Sequence, residues 1–352
     1  MLSYVLARAQ RLEPGVFALV MATGIVSVDA SEHGLPWVAR GLFALNLAAF
    51  AWLLLLLALR VAHYRAELVA DFLTPGRGAG FLTLAAGTAV VGTECLTVVH
   101  WPRAALALAI AGAAFWIALI YAFFAAAIAR RIKAGFTRTI NGAWLVAVVA
   151  TQALAVLVLL LAVRLPEPGR GNWLLAGLCL YMLGAALYLL IITLVVYRMV
   201  FFPLRAREFT PPYWIDMGAL AITTLAGATF VLHAQEPGPL AELVPFVKGF
   251  SLFFWATATW WIPLLAILEI WRHAWRHVPL TYETDDWDIV FPVGMYTVCT
   301  WTLAQALGLD VLLWIPAVGV YVSLLVWLTV AIGLVRHVAT GGRSSAHRRV
   351  RT

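Results

Sequence analysis

Charged side chains are scarce in this chain. Asp, Glu, Lys and Arg supply 12% of its 352 residues while 63% are hydrophobic, against about 25% charged in ordinary soluble domains. With a mean hydropathy of +0.92, that scarcity excludes a soluble globule and leaves a polytopic membrane protein. Cysteine is nearly absent as well. Cys95, Cys179 and Cys299 lie in three different apolar runs with no C-x-x-C spacing, which excludes a disulfide framework and a zinc site. The eight histidines do not cluster, and His63, His273 and His277 fall at segment ends, so neither a metal nor another cofactor is expected. The opening "MLSYVLARAQRLEPG" has too short an apolar part, and no small-residue cleavage site, to read as a signal peptide.

What is present is a series of ten apolar runs bounded by charge, Pro or Gly, at about 15–29, 37–59, 78–93, 104–129, 139–162, 173–197, 214–230, 243–271, 288–305 and 311–335. Of the 24 Lys and Arg, 19 fall in the loops on the side of the N-terminus and 5 on the other. The positive-inside bias therefore places both termini in the cytoplasm, as an even number of spans requires. The domain reading is a short cytoplasmic segment at 1–13, a ten-helix transport domain at 14–336, and a basic tail at 337–352 that suits anionic lipid better than nucleic acid.

The runs alternate in kind. Odd-numbered ones carry Gly, Ser, Thr, Asn or Gln at 26 of 90 positions, even-numbered ones at 14 of 128. Short, small-residue-rich helices suit close packing or water, and the long Leu-, Ala- and Trp-rich runs suit lipid. The expected fold is an all-α integral membrane protein of five helical hairpins, the odd helices forming an inner ring. Small residues could serve tight packing alone, or a ring of five could enclose a central pore.

No odd run has an ionisable residue near its middle; Asp29, Glu94, Asp216, Glu269 and Asp288 sit near run ends. That weakens a charge-relay pump, and it leaves a membrane enzyme or sensor without the polar cluster it would need. A neutral lining remains, in "MATGIVS", "AAGTAVVGT", "NGAW", "AITTLAGAT" and "GMYT", able to solvate an anion through hydroxyls, bare N–H groups and helix ends. Within "WDIVFPVGMYTV", Pro292 removes a helical hydrogen bond and Gly294 leaves space beside Phe291. That ring is either an occluding gate or an ordinary packed aromatic.

Six stretches in order along the chain, "PGVFALVMATGIVS", "GFLTLAAGTAVVGTE", "NGAWLVAVVATQ", "PPYWIDMGALAITTLAGATF", "WATATWWIPLLAILEIWRH" and "WDIVFPVGMYT", resemble the tellurite-resistance/dicarboxylate transporter family. That family includes bacterial TehA, fungal malic-acid and sulfite transporters and plant guard-cell slow anion channels. The resemblance implies five quasi-symmetric hairpins around a pore, a homotrimer with one pore per subunit, and an occluding phenylalanine in the ninth helix, where Phe291 and Pro292 match. Gly15, Thr23, Gly24, Gly87, Thr88, Asn141, Thr224, Gly227, Gly294 and Thr297 are the expected pore wall. The expected function is passage of small anions or organic acids (malate-type dicarboxylates, sulfite, chloride-like ions) across a bacterial-type inner membrane. The alternative is a proton-coupled carrier for dicarboxylates or sulfite.

Overall fold

The computed structural model describes residues 2–74, 76–131, 134–234 and 240–340, so the basic tail lies outside the described residues from 341 onward. Helices dominate. After an amphipathic segment α1 (Leu2–Gln10), five helix pairs follow: α2 (Ala18–Glu32) with α3 (Pro36–His63), α5 (Thr83–Thr97) with α6 (Pro102–Ala129), and α8 (Val146–Ala162) with α9 (Gly169–Phe201). The remaining pairs are α10 (Ile215–His233) with α11 (Val244–Ile270), and α12 (Trp287–Leu307) with α13 (Trp314–Ala339). Two short helices, α4 (Arg65–Phe72) and α7 (Phe136–Thr139), lie in connections. Nine helices among the described residues are long and apolar enough to cross a membrane. The exception is α2, whose 15 residues reach about 22 Å.

Local chemistry explains the boundaries. The outer helices α3 and α6 start on Pro36 and Pro102, where the missing N–H costs nothing. The chain leaves α12 through Gly308, whose φ of 67° is left-handed, a conformation glycine adopts without strain. Four inner helices begin with a 3-10 turn: Gly78–Leu82, Gly142–Leu145, Pro211–Trp214 and Thr284–Asp286.

The expected division into two kinds of helix is present. In their most apolar stretches, the helices containing α5, α8, α10 and α12 are 94, 89, 94 and 72% buried, whereas α3, α6, α9, α11 and α13 are 33, 22, 33, 28 and 11% buried. The inner set closes on itself: α2 packs on α5, α5 on α8, α8 on α10, α10 on α12, and α12 returns to α2. Each outer helix packs on its own inner partner and on the inner helix of the next pair, with α13 passing to α2. One antiparallel outer helix separates successive inner ones, so all five inner helices run the same way and their N-termini converge on one mouth.

That mouth is held by backbone contact. Gly142, opening the turn before α8, leaves no room for a side chain against the backbone of Pro212 and Tyr213, which lead into α10. A Cβ there must displace main chain, so Gly142→Ala should destabilise the protein by about 1–3 kcal/mol. Gly41→Ala on α3, where nothing lies within 4 Å of the added atom, should be neutral or slightly stabilising. Thermal melts of the two purified variants check this; equal melting temperatures would contradict it.

Candidate functional site

The side chains of α12 fix its rotation in the ring. Pro292 abuts Gly218 of α10, where an added Cβ would sit 2.7 Å from the proline ring, and Gly294 faces Ile25 and Val26 of α2. Thr297 faces Gly319 of α13, and Tyr296 bonds Thr259 of α11 at 2.7 Å. At about 100° per residue, Phe291 falls on the arc between the α10 and α2 contacts, opposite the outer helices. That arc faces the centre of the ring. Phe291 is 1% exposed, so it does not meet lipid. Pro292 lies inside an uninterrupted helix.

The same rotation puts Met295, Val298 and Thr302 on the axial arc of α12. On α5, Gly87 meets α2, Gly92 meets α8 and Thr88 meets Gly112 of α6, so Ala86, Thr93 and Thr97 take the axial arc. Thr93 and Thr97 are half-buried although their neighbours are buried. On α2, Gly24 meets α5, Ile25 and Val26 meet α12, and Met21 and Val28 fall between them toward the axis. The axial surface derived this way is apolar through its middle, with threonines at the C-terminal ends of α5 and α12.

The residues expected as a pore wall occupy several settings. Gly15 precedes α2, and a Cβ there would come within 4.0 Å of the Asp285 carboxylate. Thr23 accepts a hydrogen bond from the Trp327 indole of α13 at 3.1 Å. Gly24 makes room for Val90, Asn46 and Glu94, Gly87 for Val20, and Gly227 for Ser251 and Tyr181 on outer helices. Asn141 caps the turn before α8, its side chain accepting from the Ala143 N–H at 3.1 Å and donating to the Gly76 carbonyl. Thr88, Thr224 and Thr297 each donate to the carbonyl four residues back, at 2.7, 2.9 and 3.1 Å, as do Thr93, Thr97 and Thr302. A hydroxyl engaged in this way keeps acceptor capacity and has no proton left for an anion.

Acidic groups lie deeper than their positions near run ends indicate. Asp29, Glu94 and Asp216 are fully buried. Asp29 accepts from Ser323 of α13 at 2.6 Å, and Glu94 accepts from Asn46 of α3 at 2.5 Å. Just past α2, the Asp29 carboxylate holds the His33 imidazole above its ordinary pKa. Both carboxylate oxygens of Asp216 lack a hydrogen-bond partner among the described residues. Sequence reasoning missed these partners because Ser323 and Asp29 are 294 residues apart. It could have found Met295, Val298 and Thr302 by carrying the helical period forward from Phe291.

The sequence model of the family described as voltage-dependent anion channel matches residues 11–335. An uncharacterized membrane protein of Mycobacterium tuberculosis is 42% identical over 159 residues, covering 45% of this chain and 80% of the relative. Two uncharacterized transporters of Methanocaldococcus jannaschii are 26% identical over 80% of this chain and 81% of theirs, and 22% identical over 94% and 96%.

The axial arc can be tested by cysteine scanning in a background lacking Cys95, Cys179 and Cys299. Thr93→Cys and Thr302→Cys should react with a water-soluble thiosulfonate at least tenfold faster than Thr297→Cys, which faces α13. Equal rates would refute the assigned rotations.

Proposed function

Because the chain belongs to the voltage-dependent anion channel family, a multi-pass membrane family of anion channels and transporters, we propose that it is a passive anion pathway. Each chain would carry its own route along the axis of the inner ring, closed by Phe291. The carrying observation is the orientation of α12: a buried phenyl ring opposite the outer helices, between the contacts to α10 and α2. A ring in a narrow apolar tube excludes water and ions together, and its rotation reopens the route. Pro292 seated on Gly218 and Gly294 seated on α2 set the direction from which the ring is presented.

Anion preference has a source in the fold that needs no basic side chain. Five parallel inner helices turn their N-termini to one mouth, and each carries about half a positive charge there. The apolar middle favours no ion by itself, so discrimination rests on that mouth and on the dehydration of the permeant anion. Small anions and organic acids such as malate-type dicarboxylates, sulfite or chloride-like ions are the proposed substrates. The positive-inside bias orients this mouth to the cytoplasm of a bacterial-type inner membrane, and the proposed assembly is a homotrimer. Phe291→Ala should raise anion current severalfold in liposomes at equal protein content, and an unchanged current would refute the gate.

A proton-coupled carrier is the second reading, and Asp216 favours it. A carboxyl buried within the helices and lacking partners for both oxygens is the kind of group retained for ion coupling. In that case Asp216→Asn should abolish uptake driven by a pH gradient while leaving exchange without a gradient intact. If wild-type flux follows voltage alone, with no effect of the pH gradient beyond it, the carrier reading fails.

A further inference from the structure

A cavity of about 250 Å³ lies away from the axis, between the second and third helix pairs, on the same side as the inner-helix N-termini. Its wall joins the last turns of α6 to the residues leading into α5 and α8. Four aromatic rings, Phe72, Phe123, Phe136 and Trp144, contribute to it. Phe123 and Trp144 meet edge to face at 4.9 Å, Phe72 packs on Phe81 at 5.4 Å, and Phe136 is held by Tyr197 and Phe202 of the α9 end at 5.7 and 5.5 Å. The Trp144 indole donates to the Thr139 carbonyl at 2.7 Å, which fixes its plane.

The one charged side chain in the lining is basic. Arg130 lines it, Arg131 and Arg138 lie close by in the sequence, and none of the lining residues is acidic. The neighbouring carboxylate, Asp71, is taken by Arg60 at 2.5 Å and Arg77 at 2.9 Å. No hydrogen bond or ion pair engages Arg130 among the described residues. The volume holds about eight water-sized groups, too much for a bare ion and suited to a stretch of hydrocarbon chain. It lies at the last turns of α6, whose most apolar stretch is only 22% buried, and the ends of a spanning helix reach the headgroup region.

From this we propose that the cavity is a binding site for one anionic phospholipid of the cytoplasmic leaflet, its acyl chain among Phe72, Phe123, Phe136 and Trp144 and its phosphate on Arg130. An aromatic slot beneath an unpaired guanidinium satisfies both halves of such a molecule, and basic pockets between helices on the cytoplasmic side recognise anionic headgroups in this way. A zwitterionic lipid brings the same phosphate diester together with a quaternary ammonium, which the positive charge of Arg130, Arg131 and Arg138 disfavours. The bound chain would bridge the connections that lead into α5 and α8, and so couple lipid composition to the mouth of the ring. The assignment of leaflet rests on the orientation given above; the site itself does not depend on Phe291 or on transport.

The test is native mass spectrometry of the purified chain after exchange into micelles containing phosphatidylglycerol or phosphatidylcholine in equal amounts. Wild type should retain one phosphatidylglycerol in at least fivefold preference over phosphatidylcholine. Arg130→Ala should lose the preference, and Ala126→Trp, which fills the cavity, should lose retention of both. Unchanged melting temperatures would separate these effects from misfolding, and Arg130→Lys should restore part of the preference. Equal retention of the two lipids by wild type, or retention of phosphatidylglycerol undiminished in both variants, would overturn the site. A normal Phe291→Ala current response alongside either of those results would sink the lipid site and spare the anion pathway.

Discussion

Closure of the inner ring is the constraint on which the rest of the structure depends. In hydrocarbon there is no water to satisfy a polar group, so every inner helix must find partners on all sides except the axial one. Four contacts between neighbours around a circle would leave an open edge; the fifth, α12 on α2, removes it. The chain makes that last contact through the final hairpin, α12 and α13 together, which returns to α2 from the far end of the sequence. Ser323 donates to Asp29, Trp327 donates to Thr23, and Gly294 admits Ile25 and Val26. Glycines supply the approach: Gly24, Gly87, Gly92, Gly218 and Gly294 each sit against a neighbouring inner helix. Attraction between helices in lipid comes from such close packing, and the small residues of the inner helices serve it first.

Use of the small residues for closure determines what is left for the axis. Thr88, Thr93, Thr224, Thr297 and Thr302 spend their protons on carbonyls one turn back, and the glycines at the contacts are covered. On α2, α5 and α12 the axial arc then falls to Met21, Val28, Ala86, Phe291, Met295 and Val298, an apolar series broken by threonines near one end. In the proposed pathway the barrier would be one of dehydration and of the phenyl ring, both relieved by widening the tube without introducing a charge.

Much of this was legible in the sequence. The ten apolar runs lie within a few residues of the observed helices, and the alternation of small-residue content separates inner from outer helices because burial and composition answer to the same demand. The run at 139–162 shows where such reading stops: its first residues form a 3-10 turn capped by Asn141, a local device that hydropathy does not register. Rotation of each helix was not legible either. An inner helix buried on nearly every side has no apolar stripe, so composition could identify Gly24 and Thr23 as special without saying that one faces α5 and the other α13. Phe291 was approachable only because Pro292 and Gly294 flank it, and both need a particular neighbour.

The buried acids follow from the same geometry. Asp29 and Glu94 lie toward the C-terminal ends of α2 and α5, where helix dipoles disfavour negative charge, and each is met by a donor from an outer helix, Ser323 and Asn46. Asp216 opens α10 at the opposite mouth, where the dipole favours a carboxylate. Its backbone carbonyl accepts from Tyr188 of α9 at 3.2 Å, but its side-chain oxygens have no partner among the described residues. The dipole offsets part of the cost of burial, and protonation would remove the rest. Asp216 stands two residues before Gly218, the glycine that seats Pro292 on the helix that carries Phe291. Asp29 and Glu94 are thus tied to the packing of the ring, whereas the Asp216 side chain has no partner among the described residues.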